Sequence, residues 1–339
     1  MMTRMKSKPA AFDPFDLPDL VAERLGGAVI AANDEFFAPK EGLIKASAPE
    51  WREGVYTERG KWMDGWETRR RRQPGHDWAI LRLGLPGLVR AVLIDTSFYT
   101  GNYPEQASIE WCVVEGTPAV AVVAGPSTDW KPLLNKTALK GNAANRFTVE
   151  GASRRMTHLR LNIFPDGGVA RLRVHGEPVP DARLFAKGRE VDLAATEHGG
   201  FVVACSDMHY GHRQNLIQPG RSTHMGDGWE TKRRRGPGND WTIVRLARRG
   251  TVERIELDTD HYKGNAPGRC MLESCDVAEG KAFDAARAKW QPLLRETPVE
   301  PHTRHAWAAS ATRVATHVRL HIYPDGGVAR LRLIGHAAG

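Results

Sequence analysis

The stretch Asp64-Gly65-Trp66-Glu67-Thr68-Arg69-Arg70-Arg71-Arg72-Gln73-Pro74-Gly75-His76-Asp77-Trp78 returns as Asp227-Gly228-Trp229-Glu230-Thr231-Lys232-Arg233-Arg234-Arg235-Gly236-Pro237-Gly238-Asn239-Asp240-Trp241. Twelve of the fifteen positions are identical, with no gap. Chance does not produce such a match, so the chain is an internal duplication. The copies lie 163 residues apart (227 − 64), well beyond the roughly 20–50 residues of a solenoid unit. Each copy is therefore a domain, and 339 residues hold two domains of about 150. The boundaries expected are 15–176 and 192–339, with a basic tail at 1–14 and a linker at 177–191.

Working outward, most of the chain reads as short strands with Gly- and Pro-rich turns. Gly26 to Phe37, matched by Gly199 to Tyr210, reads as a buried strand and a polar turn. Val252-Glu253-Arg254-Ile255-Glu256-Leu257-Asp258 alternates apolar and charged residues, the period of a half-buried strand, and aligns with Val89 to Asp95. Ser108 to Val113 and Met271 to Asp276 form a further strand pair. Thr157 to Gly176 matches Thr316 to Gly335 at fifteen of twenty positions. There Pro165-Asp166-Gly167-Gly168 suggests a hairpin turn between His158–Ile163 and Val169–Val174. Helix is expected only as a turn or two between Asp16 and Leu25, capped by Asp19, and at Phe283 to Lys289. The expected fold class is all-β, a sandwich in each domain.

The composition narrows the function. A formal net charge of +8 favours an anionic partner: nucleic acid, a membrane surface or a small acidic substrate. Cys112, Cys205, Cys270 and Cys275 have no CxxC spacing, and four in a chain of this size do not suggest a disulfide framework. No run approaches the ~18 apolar residues of a spanning helix. The expectation is a cytoplasmic protein.

The motifs Ala32 to Glu41, Gly60 to Thr68, Gly75-His76-Asp77-Trp78, Asp95 to Glu105 and Pro165 to Arg171, with Ser206 to His212 and Asp227 to Thr231, resemble the allantoicase (allantoate amidinohydrolase) family in the right order from about Phe15 to Gly335. The resemblance implies two tandem jelly-roll β-sandwich repeats of galactose-binding-domain-like fold. It implies hydrolysis of allantoate to ureidoglycolate and urea in purine (allantoin) degradation, and a homo-oligomer, with a hexamer among the forms.

Allantoate is a carboxylate with two ureido arms on one carbon. Cleaving one carbon–nitrogen bond needs a cation for the carboxylate, for which Arg is suited. It also needs an acid for the departing urea and a base for water. Glu35, Glu67, His76 and Asp77 are the catalytic candidates, with His76 favoured because imidazole titrates near neutrality. Arg70, Arg72, Asn102, Glu230, Arg233 and Asn265 are the substrate-binding candidates. In an extended segment Arg70 and Arg72 share one face and Arg69 and Arg71 the other. One pair would reach a ligand and the other would meet acids; a solvated, salt-bridged row is the plainer reading.

Asp34/Asp207, Glu67/Glu230, Arg70/Arg233, Asp77/Asp240, Asp95/Asp258 and Asn102/Asn265 are identical in the two copies, through fold or through a shared site. Trp66/Trp229, Trp78/Trp241, Asp166/Asp325 and the adjoining glycines read as structural, as do His158 and His317. The copies also differ. Glu35, His76 and Glu105 face Met208, Asn239 and Gly268, whereas His209, His212 and His261 face Phe36, Pro39 and Phe98. One working site per chain is expected, within a repeat or shared with a neighbour. Asp207, His209 and His212 are the metal candidate, with donors suited to zinc or manganese. A non-catalytic small-ligand-binding jelly roll is the competing class. Nucleic-acid binding rests on the Arg rows alone, which are short and flanked by acids.

Overall fold

The computed structural model describes residues 13–150 and 153–338, so most of the basic tail lies outside the described residues. The chain divides into two compact units, residues 1–179 and 180–339. The expected linker is largely ordered: Glu177 and Pro178 pair with Leu88 and Gly87. Asp181 caps a turn over Ala182–Phe185, and Val191–Asp192 pairs with Gly335 and Ile334.

In the first unit one long strand, Asp77–Asp95, serves two sheets. Its first part pairs antiparallel with Ala28–Ala32 and Met156–Phe164, and that sheet continues through Gln106–Cys112 to Lys131–Ala138. The register breaks between Arg82 and Gly87. Beyond the break the strand pairs with Arg171–Pro178 and Ala144–Thr148. The alternation of Val252–Asp258, the counterpart of Val89–Asp95, is what a strand between core and solvent requires. Leu81, Ile109, Leu159 and Leu161 join Val92, Ile94, Leu172, Val174 and Trp66 in one buried core. The second unit repeats this plan on Asp240–Asp258, with its own core around Trp229. Each unit is an antiparallel β-sandwich of the jelly-roll type.

The closing hairpin does not form. Met156–Phe164 pairs with Asp77–Asp95 and Gln106–Cys112, whereas Arg171–Pro178 pairs with the far part of Asp77–Asp95 and, through His175, bridges to Asp19. The Pro165–Gly168 turn therefore passes the chain from one sheet to the other. On the way Gly168–Val169 pairs with Trp66–Glu67. A Cβ on Gly168 would lie 1.9 Å from Tyr99 Cε1, so this glycine serves a close approach rather than a hairpin. The expected helix at Phe283–Lys289 is also absent. Asp284 Oδ1 takes the Ala286 N–H and closes one turn, while Phe283 lies on His317 with centroids 3.9 Å apart. Near the start, two three-residue 3-10 turns form at Pro14–Asp16 and Glu23–Leu25. Asp13 caps the first, and Asp19 bonds instead to Val21 N and Val174 N.

A buried arginine anchors the loops around the future site. The Arg171 guanidinium is 1% exposed and donates to the carbonyls of Gly42, Ser47, Ala48, Asp64 and Ala170. It also donates to Asp64 Oδ2 at 2.5 Å. Arg330 holds the carbonyls of Asn215, Gly220, Arg221, Asp227 and Ala329, with Asp227 Oδ2 at 2.9 Å.

Candidate active site

Glu67 sits on the short strand Trp66–Glu67, pinned by Ala38 on one side and Gly168 on the other. Trp66 fills the core and donates its indole N–H to Asp34 O. That leaves Glu67 directed to the opposite face, where it is only 8% exposed. Asn102 Nδ2 donates to Glu67 Oε1 at 2.7 Å. Burial raises the Glu67 carboxyl above its ordinary value, and the Asn102 bond offsets part of this. A carboxyl poised this way is suited to moving a proton.

Tyr99 lies beside Glu67, and the sequence reading missed it. The available signal was its identity in both copies, Tyr99-x-Gly101-Asn102 and Tyr262-x-Gly264-Asn265. It is fully buried, and its hydroxyl has no hydrogen-bond partner among the described residues. A buried polar group left unmade costs about 1–3 kcal/mol. Burial, with the Glu67 charge next, pushes the phenol well above its ordinary value, so it remains a donor.

The Arg row divides as its alternation predicts. Asp34 accepts from Arg69 N and Arg69 Nε at 2.9 and 2.6 Å, and Asp77 accepts from Arg71 Nη1 at 2.6 Å. Burial raises the Asp34 carboxyl, but the N–H groups of Arg69 and Phe36 and the Arg69 side chain outweigh it, holding Asp34 below the usual range. Arg70 and Arg72 are exposed and make no ion pair among the described residues. With Asn33, Gln73 and their neighbours they line a cleft of about 580 Å³. In the second unit Lys232 and Arg234 meet Asp207 and Asp240, and Arg233 and Arg235 line a cleft of about 360 Å³.

The other catalytic candidates lie apart from Glu67's polar contacts. Glu35 accepts from Lys40 N and Lys40 Nζ. Asp77 is 2% exposed and bonded to Asn33 and Arg71, which gives it a structural place rather than a catalytic one. His76 is exposed, with its ring 4.8 Å from that of Phe164. Neither Glu67 nor Glu35 orients it. Its counterpart Asn239 shows why it is loose. In the second unit Asn239 meets His321 Nδ1 at 3.0 Å, and His321 Nε2 meets Glu273 at 3.1 Å. The first unit has Asn162 in place of His321, bonded to Glu110 at 2.9 Å. The His and Asn have exchanged positions between copies. His158 and His317 each bond to the preceding Thr hydroxyl, and burial with Arg245 nearby lowers His317 to about 4.

The metal candidate does not assemble. No group of three His, Cys, Asp or Glu among the described residues is placed to hold an ion. Asp207 accepts from His209 N and Lys232 N, His209 packs edge-on against Tyr210, and His212 Nδ1 caps its own turn at Gln214 N. The backbone thus takes up Asp207 and His212 Nδ1, and the His209 ring lies against Tyr210.

Glu230 and Asn265 repeat the carboxyl–amide pair at 2.6 Å, and Glu230 is 9% exposed. The duplication of the pocket matches a duplication of family. The allantoicase repeat model fits residues 18–179 and again residues 191–338. The chain belongs to the allantoicase family. It is 46% identical to a "probable allantoicase" of Pseudomonas aeruginosa, over 98% of each chain. It is 48% identical to one of Nocardia farcinica, over 96% of this chain and 95% of that one. The crystal structure of the allantoicase of Saccharomyces cerevisiae matches with a TM-score of 0.80 at 34% identity, over 94% of this chain and 93% of that one. The allantoicase repeat thus accounts for the Asp-Gly-Trp-Glu-Thr stretch with which each pocket begins.

Proposed function

We infer that the chain is an allantoicase: it hydrolyses allantoate to ureidoglycolate and urea, acting on a carbon–nitrogen bond of a linear amidine in allantoin degradation. The observation that carries this is the match of both repeats to one enzyme family along nearly the whole chain. In the chemistry proposed here, Arg70 and Arg72 take the substrate carboxylate. Glu67, held by Asn102, takes a proton from water as the hydroxyl displaces one ureido nitrogen from the saturated central carbon, the carbon–oxygen bond forming as the carbon–nitrogen bond breaks. It then gives that proton to the nitrogen of the departing urea. Water is consumed, and its atoms divide between the two products. A raised carboxyl is the better base for the first transfer. Asp207, His209 and His212, which do not converge, take no part in these steps. His76, Glu35 and Asp77 stand outside these roles.

Two predictions follow from the roles of Glu67 and the arginines. Activity requires Glu67 as carboxylate at the start, so kcat is lost as pH falls through its pKa. Burial raises that pKa, so the acid limb of the kcat–pH profile lies above the ordinary carboxylate range; a limb at or below that range contradicts the role. Arg70→Ala and Arg72→Ala are each expected to raise KM for allantoate about 10–100-fold, the effect of losing a charge-assisted bond worth about 1.5–3 kcal/mol. Arg71→Ala is expected instead to lower the melting temperature, because it strips a buried carboxylate of its partner. Steady-state urea release and thermal melts separate the two outcomes.

Half of each Arg row is already tied to acids, which weighs against a nucleic-acid footprint. A homo-oligomer in the cytoplasm completes the reading. It is supported by the four free cysteines and, for association, by the exposed Val113, Val120 and Val122 of the first unit. No helix among the described residues is long and apolar enough to cross a membrane.

A further inference from the structure

The two pockets share Glu, Asn and Tyr but differ in what covers them. Arg171 and Arg330 fix the comparison, because Arg171 grips Ala48 and Asp64 as Arg330 grips Arg221 and Asp227. Between those grips the first repeat has fifteen residues, 49–63, and the second has five, 222–226. In the short link Met225 meets both Tyr262 and Asn265. Its carbonyl accepts from Tyr262 OH at 2.7 Å, and its sulfur lies 3.4 Å from Asn265 Nδ2. One residue thus satisfies both polar neighbours of Glu230.

In the first repeat the residue two before Asp64 is Trp62, as Met225 is two before Asp227. Trp62 is drawn into the insert: its N–H bonds to Val55 O, and the Arg52 guanidinium lies 4.6 Å from its ring. The Tyr99 hydroxyl is left without a partner among the described residues. The rest of the insert is an exposed ribbon, Tyr56–Thr57 against Gly60–Lys61. It is tethered to the loops on either side of Glu67 and Asn102. Arg59 donates to Phe36 O at 3.0 Å, and the Trp51 ring lies 5.9 Å from that of Phe98.

We propose that Met225 occupies in the second repeat the place that a ureido arm of the substrate takes in the first. A peptide carbonyl and a ureido carbonyl are the same kind of acceptor. The ureido oxygen accepts from Tyr99 O–H as the Met225 carbonyl accepts from Tyr262, and the arm lies against Asn102 as the sulfur lies against Asn265. The insert withdraws the chain from that place and makes the first repeat the turnover copy. The second pocket is plugged by its own backbone. This rests on the reading of Glu67 as the carboxyl at the reacting bond.

The test replaces residues 49–63 by the five-residue link of 222–226, a connection the same fold already carries, and pairs it with Tyr99→Phe. The link-swapped chain is expected to melt within a few degrees of the parent and to lose more than about 100-fold in urea release from allantoate. Tyr99→Phe is expected to raise KM at least about tenfold with no drop in melting temperature, because it removes a hydroxyl that bonds to none of the described residues. A folded link-swapped chain within threefold of the parent, or Tyr99→Phe with parental KM, overturns the proposal. If the swapped chain does not fold, Tyr99→Phe decides alone. Glu67→Gln, run alongside, separates the two levels. A fully active Glu67→Gln removes the site reading itself, whereas an inactive one beside an active link-swapped chain removes only this inference.

Discussion

Glu67→Gln is expected to lower kcat for urea release by about 10²–10⁴-fold, the usual worth of a positioned proton-transfer group, with KM within a few-fold of the parent. The amide keeps the shape and the contact to Asn102 but cannot carry a proton. The stability of the same variant separates chemistry from structure. Burial raises the Glu67 carboxyl in the folded state. Between the unfolded and folded pKa values the folded chain therefore binds more protons, and stability falls as pH rises through that window. At neutral pH the carboxylate costs stability, so Glu67→Gln is expected to melt at the parental temperature or above it. Loss of activity with a lowered melting temperature would point to a structural carboxylate instead. His76→Asn, which writes the second repeat's residue into the first, is expected to cost less than tenfold, since nothing orients His76 toward Glu67. Assays of the two variants side by side rank them directly.

The largest effect on stability is expected at Arg171. Its guanidinium binds five carbonyls and Asp64, and Asp64 is itself 6% exposed. Arg171→Ala leaves a buried carboxylate with Lys45 as its remaining ion partner among the described residues and strands the carbonyls. Breaking a buried pair from one side costs about 3–5 kcal/mol. Burial raises the Asp64 carboxyl, and bonds from Arg171, Lys45 and Glu50 N outweigh it, leaving it below the ordinary value. The stability that Asp64 contributes is thus present above the unfolded pKa and is lost as pH falls through the folded one. Denaturant unfolding of Arg171→Ala followed at neutral pH measures the loss; a change below about 1 kcal/mol contradicts the anchoring role. Because Arg171 also holds both ends of the insert, the variant is expected to lose activity along with stability.

The sequence disclosed the duplication, the β-sandwich and the division of the Arg row, because each is written in a local period. Two-residue alternation places Arg69 and Arg71 on one side and Arg70 and Arg72 on the other wherever the chain is extended. The Pro165–Gly168 turn was misread because a hairpin and a crossover between sheets use the same turn residues. Only the packing of Tyr99 against Gly168 distinguishes them. Asp207, His209 and His212 suggested an ion site by proximity, yet backbone N–H groups hold Asp207 and His212 Nδ1 while the His209 ring packs on Tyr210. Asp77 was a catalytic candidate by residue type, but it faces inward, where Asn33 and Arg71 hold its carboxylate. Tyr99 was visible as a repeated residue and still unreadable. Its importance depends on the ten-residue difference between 49–63 and 222–226, which matters only once both ends are seen at the pocket.

The most direct test of the enzyme reading is the stoichiometry of urea release by the purified full-length chain after exhaustive treatment with a chelator. One urea and one ureidoglycolate for each allantoate consumed is the predicted result. Allantoate that binds without releasing urea, or release that ceases on chelation and returns with a divalent ion, would contradict the account.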